Sequence, residues 1–201
     1  MGIFLAVKSA YPSVHRERLI HILKQKSYPP YLCYVINSLL SDRTTSLKID
    51  RFVSQVFTIP NGLPQGSPLL VTLYLLYNSS LLLPNPPSLN EDEISIAYIY
   101  DFTHLIETES VQQSQKRTEE VMTRSKSWGS RYRAVFDEKK TNFIIFTKRR
   151  QPLHEITITA STHALRKEVR WLGITLTPTL SPGPHFRTIK TKANNTINQL
   201  K

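Results

Sequence analysis

The stretch Gly62-Leu63-Pro64-Gln65-Gly66-Ser67-Pro68-Leu69 leads into Leu73-Tyr74-Leu75-Leu76-Tyr77-Asn78. Glycine and proline punctuate a loop from Gly62 to Pro68, and the apolar segment from Leu69 to about Leu82 that it feeds is predicted to be a buried helix. On the N-terminal side, Thr44–Ile49 and Phe52–Ile59 carry alternating or β-branched residues around Asp50-Arg51 and read as a hairpin. On the C-terminal side, Ile94–Ile99 and Thr103–Ile106 flank Tyr100-Asp101-Phe102 and read as another.

Further outward, Ile3–Val7 is a short apolar run that suits a buried strand. Val14, Leu19, Ile22 and Leu23 fall on one helical face, and Leu32, Val35, Ile36, Leu39 and Leu40 repeat at helical spacing after Pro29-Pro30. Val111–Arg131 suits a surface helix with apolar Val111, Val121, Met122 and Trp128. Ala134–Phe136, Asn142–Thr147, Ile156–Thr159 and Trp171–Leu176 are candidate strands, and a basic amphipathic helix starts near His185. Strands and helices do not alternate regularly, so the pattern implies a mixed antiparallel α+β fold.

The chain has 201 residues, 40% of them hydrophobic and 20% charged, which is enough for one core. Its formal net charge of +11 makes nucleic acid the leading partner class, with a merely solvated basic surface as the alternative. Cys33 is the single cysteine and reads as a small core residue. The apolar run from Pro68 to Leu83 falls short of a bilayer span, and no secretory n-region precedes it, so an intracellular protein is expected. Trp128 and Trp171 read as packing residues, and His15, His21 and His104 show no metal spacing.

The Gly62–Leu69 string and its helix closely resemble motif B of the reverse transcriptases of non-LTR (LINE-type) retrotransposons. Other segments resemble the same family in the same order. Leu5-Ala6-Val7-Lys8-Ser9-Ala10-Tyr11 resembles motif A, and Ala97-Tyr98-Ile99-Tyr100-Asp101 the motif C hairpin. Phe136-Asp137-Glu138-Lys139-Lys140-Thr141 resembles motif D, and Arg170-Trp171-Leu172-Gly173-Ile174 the motif E strand that grips the primer. The resemblance implies a polymerase palm-like antiparallel sheet backed by helices over residues 1–180. A thumb-like basic segment would begin at 181–201, with the fingers missing and the thumb incomplete. It implies RNA template and DNA primer as partners, no membrane, no small-molecule cofactor, and nuclear action. It also places Gly62, Pro64, Gln65, Gly66, Ser67 and Lys140 at nucleotide and template, and Trp171, Leu172 and Gly173 at the primer.

Such polymerases use two Mg²⁺ ions held by an Asp of motif A and two adjacent Asp of motif C. Here the motif A position is Ala6 and the first motif C position is Tyr100, so only Asp101 matches. A methyl group cannot ligate a metal, and a neutral phenol is a poor substitute for a carboxylate at neutral pH. Glu91, Asp92 and Glu93, in an expected loop, and Glu107, at a strand end, offer no rescue. The basic residues Lys139, Lys140, Lys148, Arg149, Arg150, Arg166, Lys167 and Arg170 suit phosphate contact or a solvated strand-end cluster equally. The resemblance thus implies a reverse transcriptase remnant without catalytic Mg²⁺. A non-catalytic basic nucleic-acid-binding protein that keeps the palm fold, and a subunit completed by another chain's fingers, are the alternatives.

Overall fold

The computed structural model describes residues 1–64, 66, 68–82, 92–147, 155–158 and 161–200. Strand β1 (Gly2–Lys8) is buried along all but its last residue, which is why nearly every side chain in it is apolar. The chain turns at Ser9, where φ is 50°, and enters α1 (Arg16–Gln25) and α2 (Pro30–Leu40). Leu19, Ile22 and Leu23 of α1 and Cys33, Ile36 and Leu40 of α2 recur at helical spacing and face the core. Val35 and Leu39, expected on the buried stripe of α2, are instead exposed, because the helix buries only the narrow face that carries Cys33, Ile36 and Leu40.

The hairpin expected over Thr44–Ile59 exists but is broken into short pieces. β2 (Thr44–Thr45) pairs with β5 (Phe57–Thr58), and β3 (Lys48–Ile49) pairs with β4 (Phe52–Val53). Between the pieces the Ser54 hydroxyl takes over from the ladder: it accepts from the Leu47 N–H at 2.8 Å and donates to the Gln55 carbonyl at 2.8 Å. α3 (Pro68–Leu82) follows, burying Leu70, Leu73, Tyr74, Tyr77 and Leu81. Among the described residues no helix is long and apolar enough to cross a membrane.

β6 (Glu93–Tyr98) and β7 (Asp101–Ile106) form the second hairpin, and α4 (Val111–Tyr132) packs behind it. The Ser110 hydroxyl caps α4 by accepting from the Gln113 N–H. The remaining elements are β8 (Val135–Phe136), β9 (Asn142–Ile144), β10 (Glu155–Ile158), β11 (Ser161–Ala164), β12 (Val169–Trp171), β13 (Ile174–Leu176) and α5 (Gly183–Gln199). The main sheet runs β6-β7-β1-β8, with β9 also on β1, and every pairing in it is antiparallel. Ile3, Leu5 and Val7 join the helices in the main core. Phe4, on the opposite face, joins Ile144, Val169 and Trp171 in a smaller one.

Several expectations are corrected. Trp171–Leu176 is not one strand but a hairpin that turns at Leu172 (φ 47°) and Gly173 (φ 85°). Two consecutive left-handed residues reverse an antiparallel pair with the sheet's own twist, and glycine permits the second of them. The strand expected to Thr147 ends at Ile144, and β11, poor in large apolar residues, was not anticipated. Thr159, Lys148, Arg149, Arg150 and Glu91 lie outside the described residues.

Glu93 is not in a loop but opens β6, and its side chain is buried on the α4 side of the hairpin. It pairs there with Arg124 and, at 3.5 Å, with Arg117, while the His104 Nδ1 stands 3.7 Å away. The Ser95 hydroxyl links the group, 2.7 Å from His104 Nδ1 and 3.3 Å from the Glu93 carboxylate. Burial opposes the charge, but His104 and Arg124 outweigh it and hold the Glu93 carboxyl down to about 2.

The cluster adds charge pairing to the apolar packing, including Trp128 of α4 against Phe102 of β7, that holds α4 on the β6–β7 hairpin. A depressed carboxylate pKa contributes stability above the ordinary value of 4.5, and that contribution disappears as the pH falls toward 2. Glu93→Gln should therefore lower stability by about 2 kcal/mol at neutral pH, because it removes the carboxylate that pairs with half-buried Arg124, while Arg117 keeps Glu120. Urea unfolding at successive pH values should show this difference shrinking through the window from 4.5 down to about 2.

Candidate nucleic-acid site at the end of the central strand

Register brings the motif A and motif C positions together. Ala6 of β1 lies directly across from Asp101 of β7, so their Cβ atoms are about 5 Å apart. The Val7 N–H donates to the Tyr100 carbonyl at 3.0 Å, and the Asp137 N–H donates to the Ala6 carbonyl at 2.8 Å. Ala6 is thus fixed from both sides, and its methyl is buried. The β6–β7 turn is Ile99-Tyr100, and Ile99 has φ of 56°, a conformation costly for a β-branched residue. Packing of Ile99 against the core holds that turn in place. Tyr100 projects from it, 39% exposed.

Burial pushes the Asp101 carboxyl above its usual range, and the Lys140 cation pulls in the opposite direction. Lys140 belongs to the turn after β8, where its N–H donates to the Asp137 carbonyl and the Asp137 carboxylate accepts from the Lys139 N–H. The structure therefore gathers Ala6, Tyr100, Asp101 and Lys140 at one end of the sheet.

The loop at Gly62 reaches the same end. The Gly62 N–H donates to the Val14 carbonyl at 2.7 Å and the Leu63 N–H to the Tyr11 carbonyl at 2.9 Å, which seats the loop on the turn after β1. Gly62 has φ of 87°, and a Cβ there would stand 2.9 Å from the Pro12 Cα. Its close backbone approach is therefore to Pro12. Gly66 also has positive φ, 108°, but open space surrounds it. Pro64 is exposed, and Gln65 and Ser67 lie outside the described residues.

Arg43 was not singled out as a functional residue, yet its guanidinium clamps this loop, donating to the Asn61 carbonyl at 2.8 Å and the Gly62 carbonyl at 2.6 Å. An isolated arginine before a β-branched run carries no signal of such a role.

Trp171 packs edge-on against Phe4 with ring centroids 6.2 Å apart, while Leu172 and Gly173 form the exposed turn beside it. A cleft of about 880 Å³ runs between Trp171, Leu176, Ile94, Thr103 and Leu105, and Asp101 does not line it. Arg166, Lys167 and Arg170 are exposed, with Arg166 Nε donating to the Asn142 side chain at 2.9 Å.

A two-metal site needs several carboxylate oxygens converging within a few ångströms. Across from Asp101 stands a methyl group, and among the described residues no three His, Cys, Asp or Glu gather as a metal cluster. Glu93 shares the more buried, helix-facing side of β6 with Ser95 and Ala97, and its oxygens are held by arginines. The donor set does not fit a pair of Mg²⁺ ions.

An antiparallel sheet backed by helices, with the motif A strand between the motif C hairpin and the motif D strands, defines a polymerase palm. Residues 1–176 match the family model for reverse transcriptase (RNA-dependent DNA polymerase), and the chain belongs to that family. It is 26% identical over 192 residues to the RNA-directed DNA polymerase from mobile element jockey of Drosophila melanogaster, covering 94% of this chain and 21% of that protein. It is 28% identical over 201 residues to the jockey protein of Drosophila funebris, covering 95% and 22%. The probable RNA-directed DNA polymerase from transposon BS of Drosophila melanogaster is 24% identical over 206 residues. The chain spans about a fifth of the length of these relatives. Telomerase from Candida tropicalis has the same fold, with a TM-score of 0.61, 13% identity, and coverage of 90% of this chain and 29% of that one. The motif resemblance to non-LTR reverse transcriptases is thereby borne out. The family generally uses divalent metal ions, which makes the donor set at Asp101 a departure from it.

The two motif B glycines should respond differently to alanine. Gly62→Ala meets both a left-handed backbone and the Pro12 backbone, and should cost about 3 kcal/mol in chemical denaturation. Gly66→Ala meets only the backbone cost, about 1–2 kcal/mol.

Proposed function

We propose that this chain is the palm of a retroelement reverse transcriptase that no longer supports nucleotidyl transfer. On this reading, residues 181–201 begin a thumb-like basic segment, and RNA template and DNA primer are the ligands inherited from the family. The observation that carries the reading is the pairing of Ala6 with Asp101. Losing even an outer partner of a metal ligand costs about 10–100-fold in affinity or activity. Here the directly coordinating oxygens themselves are replaced, by a methyl at position 6 and an exposed phenol at position 100.

The basic surface supports retention of nucleic-acid binding without chemistry. Lys139, Lys140, Arg166, Lys167 and Arg170 are all exposed, and the chain carries a formal net charge of +11.

The test compares this chain with its Ala6→Asp, Tyr100→Asp variant. Primer extension on an RNA template should give no product with the unaltered chain. In a melting experiment, Mg²⁺ should leave the unaltered chain unchanged and raise the Tm of the double variant, since only the latter presents converging carboxylates for the cation to bind. Extension by the unaltered chain, or an equal Mg²⁺ response from both, would refute the proposal.

A further inference from the structure

We propose a second phosphate-binding site, on the helical side of the palm, that takes the backbone of single-stranded nucleic acid. It is a cleft of about 310 Å³ where the start of α1 meets the end of α4, lined by His15, Glu17, Arg18, His21, Tyr77, Arg131, Tyr132 and Arg133. It is independent of the Asp101 site, which lies at the β6–β7 turn.

The charge balance of the cleft is the first argument. Three arginines face one glutamate, and among the described residues none of the three arginines pairs with a carboxylate. A guanidinium offers five N–H donors, matched to paired phosphate oxygens. Arg18 spends one donor on the Arg131 carbonyl at 3.2 Å and is held over the Tyr132 ring, 5.3 Å from its centroid. Its remaining donors are therefore positioned on a rigid mount.

The mount itself is the second argument. Tyr132 stacks on buried Trp128 at 4.9 Å, and the Tyr77 hydroxyl donates to the Tyr132 carbonyl at 2.7 Å while accepting, at 3.4 Å, from the His15 N–H. Trp128, the Arg18 guanidinium and the Tyr77 ring, 5.5 Å away and edge-on, already pack against the Tyr132 ring, so it is not a free platform for stacking a base. The cleft recognises phosphate rather than nucleobase, and binding there should be indifferent to sequence.

Arg133 adds a third observation. It follows α4 at φ of 54°, the position where helices commonly end in glycine. An arginine stands there although glycine would fit with no steric cost, and it puts a cation at the mouth of the cleft.

The test uses the chain with Arg131→Gln and Arg133→Gly together, changes that remove charge while suiting the local backbone. A 20-nucleotide oligouridylate is titrated by fluorescence anisotropy across a salt series, with Lys24→Gln, Lys26→Gln as the charge-matched control. Each lost phosphate contact on a single strand lowers the log–log salt slope by about 0.7, so the double variant should lose about 1.4 and bind about 10–100-fold more weakly at about 50 mM salt. The control should keep the slope within about 0.3 of the unaltered chain. An unchanged slope in the double variant, or an equal fall in the control, would overturn the assignment. So would a melting response to inorganic phosphate that the double variant abolishes while its oligouridylate slope stays the same. That result would make the site one for free phosphate.

Discussion

Strand β1 is paired on both edges, and the rest of the molecule is organised by that constraint. Its one side carries the register of the motif C hairpin, and its other side carries β8 and β9. A slip of one residue would turn Ile3, Leu5 and Val7 away from the helical core and bring Phe4 and Ala6 into it. The apolar packing of α1, α3 and α4 therefore determines which residue of β1 faces Asp101.

The same constraint separates fold from chemistry. A carboxylate at position 6 would be buried beside another carboxylate, a combination that disfavours ionisation of both unless a cation bridges them. Alanine there removes the repulsion and fills the space with a methyl that the strand accommodates. The register of β1 thus rests on backbone pairing and apolar packing, both of which a methyl at position 6 leaves intact. What remains charged and buried, the Glu93 cluster with Arg117 and Arg124, serves the attachment of α4 to the hairpin instead.

Most of this was legible in the sequence where the signal was periodic. The stripes of α1 and α3, the β6–β7 hairpin and the buried first strand follow from apolar spacing, and the ordered motifs identified the family. In α2 the spacing placed the helix but not its buried face, since Val35 and Leu39 are exposed and Cys33 is buried. Local spacing failed where tertiary contacts decide. Leu172-Gly173 reads as strand interior until one sees both residues at positive φ, and Thr44–Thr58 reads as two continuous strands until Ser54 replaces a ladder bond. Within the site, the motifs singled out Ala6, Tyr100 and Asp101, whereas the pairing of Ala6 with Asp101, the clamp by Arg43 and the docking of Gly62 on Pro12 came only with the structure. Those contacts join residues far apart in the chain, and no neighbouring residue announces them. The Arg18, Arg131 and Arg133 cleft was hidden for the same reason, since it forms only when α4 ends against α1.

The central claim is that one carboxylate facing a methyl cannot seat divalent cations at the palm. Electron paramagnetic resonance of Mn²⁺ measures this directly, because protein-bound and free ions give distinct signals and Mn²⁺ favours the same oxygen ligands as Mg²⁺. Titrated with this chain in the presence of a deoxynucleoside triphosphate, the free Mn²⁺ signal should match that of a sample with nucleotide alone. A saturable loss of free signal that follows protein concentration and disappears in Asp101→Asn would contradict the account.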